Sequence, residues 1–153
     1  MVYYTISSPK NKNEFDDYYY FRWKYLRKPL NKKLGTEKDD IEDRSIHKMV
    51  INKEGFIIAV GRIHRVSNTS SQIRYFAVDR DYRKQGIGGY LMNHLEKVSF
   101  DEKRPYMILN SRENAVSFYE KLGYHITEKS NLLYGKIQHY RMKKNIQSNK
   151  IFK

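Results

Sequence analysis

The 153-residue sequence has no cysteine. That excludes disulfides, thiolate metal sites and cysteine nucleophiles, and it fits a reducing compartment. No window approaches the roughly 20 apolar residues of a membrane span, and Met1 to Lys10 has no apolar core of the kind a secretion signal needs. A soluble, cytoplasmic protein with no membrane partner is expected. The five histidines are dispersed and no H-x-x-x-H or carboxylate pair stands at ligand spacing, so no metal is expected. Internal repeats and low-complexity tracts are also missing.

Acid is scarce as well: 17 Asp and Glu stand against 30 Lys and Arg, a formal charge of +13. Such an excess can mark nucleic-acid binding. Here the cations are scattered, with short clusters only at Lys32-Lys33 and Lys143-Lys144, so nucleic acid is disfavoured as the partner and a polyanionic small ligand is favoured. At 18.5 kDa the length suits one domain over 1–153. Hydrophobic residues are 39%, but 14 Tyr and 7 Phe supply enough large surface for one core.

Val2 to Ile6 reads as an opening strand. From Asn13 the period changes, and Phe15, Tyr19, Trp23 and Leu26 fall on one helical face that Pro29 terminates. Lys32 to Ile46 is charged and aperiodic, a loop or short helix near the surface. His47 to Ile51 and Phe56 to Val66 flank Asn52-Lys53-Glu54-Gly55 and predict a hairpin. Gln72 to Val78 alternates, with Ile73, Tyr75 and Ala77 on one face. Ile87, Leu91, Leu95 and Val98 keep helical spacing to about Phe100, and Pro105 to Leu109 is a short strand. Asn110 with Glu113 has the form of a capping box before a helix carrying Ala115, Phe118, Tyr119 and Leu122, closed by Gly123. Tyr124 to Thr127 and Tyr134 to Met142 supply one or two closing strands, and 143–153 is a polar tail expected to fray. This order predicts an α/β fold with a mixed sheet and packed helices.

Between the strand ending at Val78 and the next helix lies Arg83-Lys84-Gln85-Gly86-Ile87-Gly88-Gly89. A helix N-terminus presents unpartnered N–H groups and about half a positive charge, glycines let an anion approach them, and Arg83 and Lys84 add cationic donors. A phosphate site is expected. The turn fits neither a Walker A loop nor a dinucleotide fingerprint.

Arg83, Gly86 and Gly88 resemble the R/Q-x-x-G-x-G/A signature of the GNAT superfamily of N-acetyltransferases, and Asn114 to Tyr124 is similar to its A-x-x-F-Y-x-x-x-G-F/Y segment. Tyr20 to Pro29 and Gly61-Arg62 look like a bacterial subgroup also found as the N-terminal module of thioesterase-fused proteins; that second domain is not in this sequence. The resemblance implies a mostly antiparallel sheet flanked by helices, with a V-shaped split between its central strands for acyl-CoA. It implies that Phe76, Ala77 and Val78 hold the pantetheine arm, and that Arg83 to Gly89 and Asn114 bind the rest of the cofactor. It implies direct attack of an amine on the thioester of acetyl-CoA, with Tyr119 as general acid to the departing thiolate. Packing beside Phe118 is the alternative role for Tyr119.

For the general base, Glu37, Asp39, Asp40 and Glu42 of the charged loop are candidates, with His47 and His64; Glu37 and His47 are taken forward. A homodimer is left open, as are two further readings: an acyl-CoA-binding regulatory module without transfer, and a basic nucleic-acid binder. The acceptor amine is not readable from the chain.

Overall fold

The computed structural model describes residues 3–146, which include seven strands. In hydrogen-bonded order they are β1 (Tyr4–Ser7), β2 (Ile46–Asn52), β3 (Ile57–Arg65), β4 (Ser70–Val78), β5 (Tyr106–Arg112), β7 (Ile137–Asn145) and β6 (His125–Leu133), and β4 and β5 run parallel. The described chain divides into two compact units, 3–64 with 75–95 and 65–74 with 96–146.

In the first unit β1 (Tyr4–Ser7) pairs antiparallel with β2 (Ile46–Asn52). The expected hairpin joins β2 to β3 (Ile57–Arg65), paired from Ile46↔Ile63 to Val50↔Ala59 and, after a shift in register, at Ile51↔Ile57. Gly55 takes φ 89° in its turn, and the Asn52 carboxamide accepts from the Glu54 and Phe56 N–H groups.

Helix α1 (Lys12–Leu26) is capped by Asn11, whose side chain accepts from Glu14 N–H at 2.9 Å. Glu14 in turn accepts from Lys10 N–H. Its buried face is centred differently from the predicted one. Tyr18, Phe21 and Arg22 are buried, while Phe15, Tyr19, Trp23 and Leu26 are half-buried. Tyr18 and Phe21 pack on Met49, Val60 and Ala77, with Phe15, Tyr19 and Leu26 around the margin. The apolar spacing identified the stripe's edge, because Arg22 sits at its centre.

The second unit takes the first half of β4 (Ser70–Val78), the last turns of helix α2 (Ile87–Asp101), β5 (Tyr106–Arg112), helix α3 (Val116–Lys121), β6 (His125–Leu133) and β7 (Ile137–Asn145). Ser70 to Ile73 pair with Tyr106 to Leu109, and β7 pairs antiparallel with both β5 and β6. Ser99 Oγ donates to Ser71 Oγ at 2.8 Å. Buried Glu96 accepts from Tyr124 Oη and Lys144 Nζ, both at 2.9 Å.

Two expectations are corrected here. Asn110 lies inside β5, and the short turn Glu113–Ala115 that precedes α3 has no side-chain cap; the strand's pairing to β7 outweighs the local capping signal. Lys143, Lys144 and Asn145 are strand and Ile146 is buried, its N–H donating to Pro105 O, so the expected fraying does not begin at Lys143; 147–153 lie outside the described residues. Gly123, at φ 98°, ends the α3 segment as predicted. No described helix is long and apolar enough to cross a membrane.

Candidate acyl-CoA turn and transfer residues

β4 carries the apolar alternation forward, with Tyr75 and Ala77 buried and Phe76 and Val78 half-buried. Tyr75 takes φ 55°, a conformation that costs a bulky residue about 1–3 kcal/mol and persists only when its surroundings enforce it. Those surroundings are cationic. The guanidinium carbons of Arg22, Arg62 and Arg27 lie 4.2, 5.1 and 5.6 Å from its ring centroid.

After Val78, Asp79 N–H donates to Ile58 O at 2.8 Å, and the Asp79 carboxylate accepts from Asp81 N–H, closing the turn Arg80–Tyr82. Arg83 Nε reaches back to Val78 O, and Gln85 Nε2 to Asp81 O. Lys84 at φ 62° and Gly86 at φ 81° are both left-handed. A Cβ at Gly86 would meet nothing within 4 Å, so this glycine answers to backbone conformation and not to crowding. The first helical bond, Tyr90 N–H to Gly86 O at 3.0 Å, starts α2 with Ile87, Gly88 and Gly89 in its first turn. Arg83, Lys84, Gln85 and Gly86 are exposed, whereas Ile87 and Gly88 are buried. The helix is thus anchored by its apolar face while the turn stays open to an anion.

The charged loop is tied to the first unit's core. Arg22 and Arg62 have no exposed surface. Arg22 donates to Glu37 O, the Glu42 carboxylate and Tyr18 Oη, each at 2.9 Å. Arg62 donates to both Asp39 oxygens at 2.7 and 2.9 Å and to Glu42 at 3.0 Å. Arg27 reaches Thr36 O and Trp23 reaches Lys32 O.

His47 is drawn into the same network. Its Nδ1 lies 2.9 Å from Tyr18 Oη and its Nε2 2.7 Å from Glu42 O. The carbonyl requires Nε2–H, so Nδ1 accepts from the tyrosine. Burial lowers the His47 pKa, keeping the ring neutral, and burial pushes the Tyr18 phenol up to about 12. Glu37 is buried and its carboxylate accepts from Gly35 N–H at 2.7 Å. His64 Nδ1 accepts from Arg62 at 3.3 Å, and Asp40 is exposed. Both base candidates taken from the sequence therefore make intramolecular hydrogen bonds.

Sequence reading missed the two buried arginines. The available signal was an arginine inside an aromatic helix face and another inside the apolar run Ile57 to Ile63.

In the second unit Tyr119 is buried on α3, edge-on to Phe118 at 4.9 Å and to Tyr124 at 6.0 Å. Burial raises the pKa of its phenol, and the Arg112 guanidinium opposes the rise. The phenol is protonated throughout the physiological range. Asn114 is exposed in the turn before α3. Among the described residues, no three His, Cys, Asp or Glu gather as metal ligands.

The parallel β4–β5 pair and the glycine-bearing turn at the N-terminus of the intervening helix belong to a mixed sheet in an α/β protein. Residues 29–146 match the acetyltransferase (GNAT) domain family, and the chain belongs to that family. It is 31% identical over 135 residues to the uncharacterized N-acetyltransferase YjcF of Bacillus subtilis, covering 88% of this chain and 95% of that protein. Its fold is similar to a GNAT-family acetyltransferase from Staphylococcus aureus (TM-score 0.77, 17% identity, 94% and 99% of the two chains). It is also similar to an aminoglycoside 6'-N-acetyltransferase solved with coenzyme A (TM-score 0.75, 18% identity, 92% and 96%).

Proposed function

We propose that the protein transfers the acetyl group of acetyl-CoA to a primary amine, as a single acetyltransferase domain acting in the cytoplasm. The observation that carries this is the turn Arg83 to Gly89, in which Lys84 and Gly86 adopt left-handed conformations and α2 begins at once. That arrangement suits the pyrophosphate of the cofactor, with Arg83 and Lys84 as cationic donors. Phe76, Ala77 and Val78 would hold the pantetheine arm through their backbone, and Asn114 would assist.

The amine nitrogen attacks the thioester carbonyl, the C–N bond forms as the C–S bond breaks, and the thiolate takes a proton from the Tyr119 phenol. The proton lost by the amine returns to solvent and restores Tyr119. His47 and Glu37 are the candidates for accepting that proton, and His47 would first give up the hydrogen bond its Nδ1 accepts from Tyr18. The segments that suggested the thioesterase-fused subgroup, Tyr20 to Pro29 and Gly61-Arg62, include both buried guanidiniums, which makes them structural determinants of the charged loop.

Titration calorimetry with acetyl-CoA and thiol release over an amine library test the reading. Binding without turnover of any amine would leave a regulatory acyl-CoA-binding module. Absence of binding by folded protein removes the proposal, and steep salt-dependent binding of nucleic acid would favour a different class.

A further inference from the structure

Residues opposite one another in an antiparallel ladder share a face, and successive residues alternate. Between β5 and β7 the pairs Met107↔Lys144, Leu109↔Met142 and Ser111↔Tyr140 lie toward α2, where Lys144 Nζ meets Glu96. The alternate pairs, Ile108↔Lys143, Asn110↔Arg141 and Arg112↔His139, therefore occupy the opposite face. Lys143 Nζ stands 4.5 Å over the Tyr106 ring on that side. β4 continues the pattern. Ser71 bonds to Ser99 on the α2 side, so Gln72 and the exposed Arg74 alternate onto the other. Three strands of the second unit thus bring Arg74, Arg112, Arg141 and Lys143 to one face, and Glu128 of β6, in register with Arg141, is the acid beside them. On the same face the Asn110 side-chain carbonyl is buried and accepts no hydrogen bond among the described residues. A donor on a bound molecule can satisfy such a carbonyl.

We propose that this face binds a carboxylate carried by the acceptor, so that the substrate class is a small amine that also bears a carboxylate, an amino acid or a close relative. The inference rests on the acetyltransferase reading. Adjacent strands are about 4.8 Å apart and same-face residues about 6.8 Å apart, so the cations spring from a patch roughly 10 Å across the strands and about 14 Å along them. That matches one or two carboxylates. A nucleic acid gathers affinity from many dispersed phosphate contacts. Arginine forks take a carboxylate in two parallel bonds, while the Asn110 carbonyl offers an acceptor to an ammonium or amide N–H.

The test compares free amino acids with the same compounds as carboxamides, using thiol release from acetyl-CoA. The acids should be preferred at least tenfold in kcat/KM. Arg141→Gln should raise KM for the acids about tenfold, leaving KM for the carboxamides and for acetyl-CoA unchanged, and Arg141→Lys should restore part of the loss. An unchanged melting temperature shows that the variant is folded. Equal turnover of acids and carboxamides, or an equal loss on both in Arg141→Gln, overturns the proposal, as does an acidic peptide or DNA duplex being the ligand whose binding Arg141→Gln abolishes. Calorimetry with glutarate, which has no amine, separates the two readings. If no amine is acetylated yet glutarate binds the wild type and not Arg141→Gln, the transferase reading fails and the anion-binding face stands.

Discussion

Arg22, with no exposed surface on α1, donates to the carboxylate of Glu42 at 2.9 Å. Glu42 also takes Arg62 at 3.0 Å and Asp39 N–H at 3.0 Å. One carboxylate therefore fastens the charged loop to helix α1 and strand β3. Removing one partner of a buried pair typically costs about 3–5 kcal/mol, because the remaining charge stays desolvated. Glu42→Ala leaves Arg22 without a carboxylate partner and should destabilise the fold by about 3 kcal/mol, read as a lowered midpoint in urea. A loss under about 1 kcal/mol would show that the loop is not held through Glu42.

His47 supplies a pH dependence whose sign follows from its lowered pKa. The unfolded ring takes up a proton near pH 6.5, whereas the folded ring resists because Nδ1 accepts from Tyr18 and Nε2–H donates to Glu42 O. Its contribution is complete above about pH 6.5 and declines as the pH falls toward the folded pKa. Thermal melts between pH 7.5 and 5 should show a shallower decline for His47→Asn than for the wild type; identical slopes would contradict this account.

Gly86→Ala tests the turn. The φ of 81° is unfavourable for a side chain although the space is open, so stability should fall by about 1–2 kcal/mol. If the turn holds pyrophosphate, acetyl-CoA affinity should fall further than stability alone explains. Calorimetry on folded protein measures both effects.

Tyr119→Phe removes the phenol and keeps the ring packed between Phe118 and Tyr124. Acetyl-CoA affinity should be unchanged and kcat should drop by about a hundredfold, within the usual range for a lost general acid. Unchanged turnover would assign Tyr119 to packing.

The hairpin at Asn52–Gly55 and the helix start after Gly86 were readable because each depends on residues close in sequence, whereas the single face expected for Ile73, Tyr75 and Ala77 is broken by the left-handed Tyr75, whose ring meets Arg22 while Ser71 meets Ser99. The centre of α1's buried face was not readable, since Arg22 is accommodated by Glu37 O, Glu42, Tyr18 Oη and the Tyr75 ring, none of which its own position reveals. The capping pattern at Asn110 misled for the same reason: its register with Arg141 is settled by a strand far along the chain. Lys32 to Ile46 looked like solvated surface because charge in a sequence does not reveal its partner.

The sequence by itself determined the glycine-bearing turn after an apolar strand, on which the proposed donor site rests, since a left-handed glycine and a helix start depend on residues close in sequence. Tertiary structure decided the rest. It buried two guanidiniums against carboxylates from a separate loop, engaged both ring nitrogens of His47, and gathered cations from three strands onto one sheet face. Each of these depends on desolvation and on pairing between residues far apart in the chain, and local propensity carries no record of either.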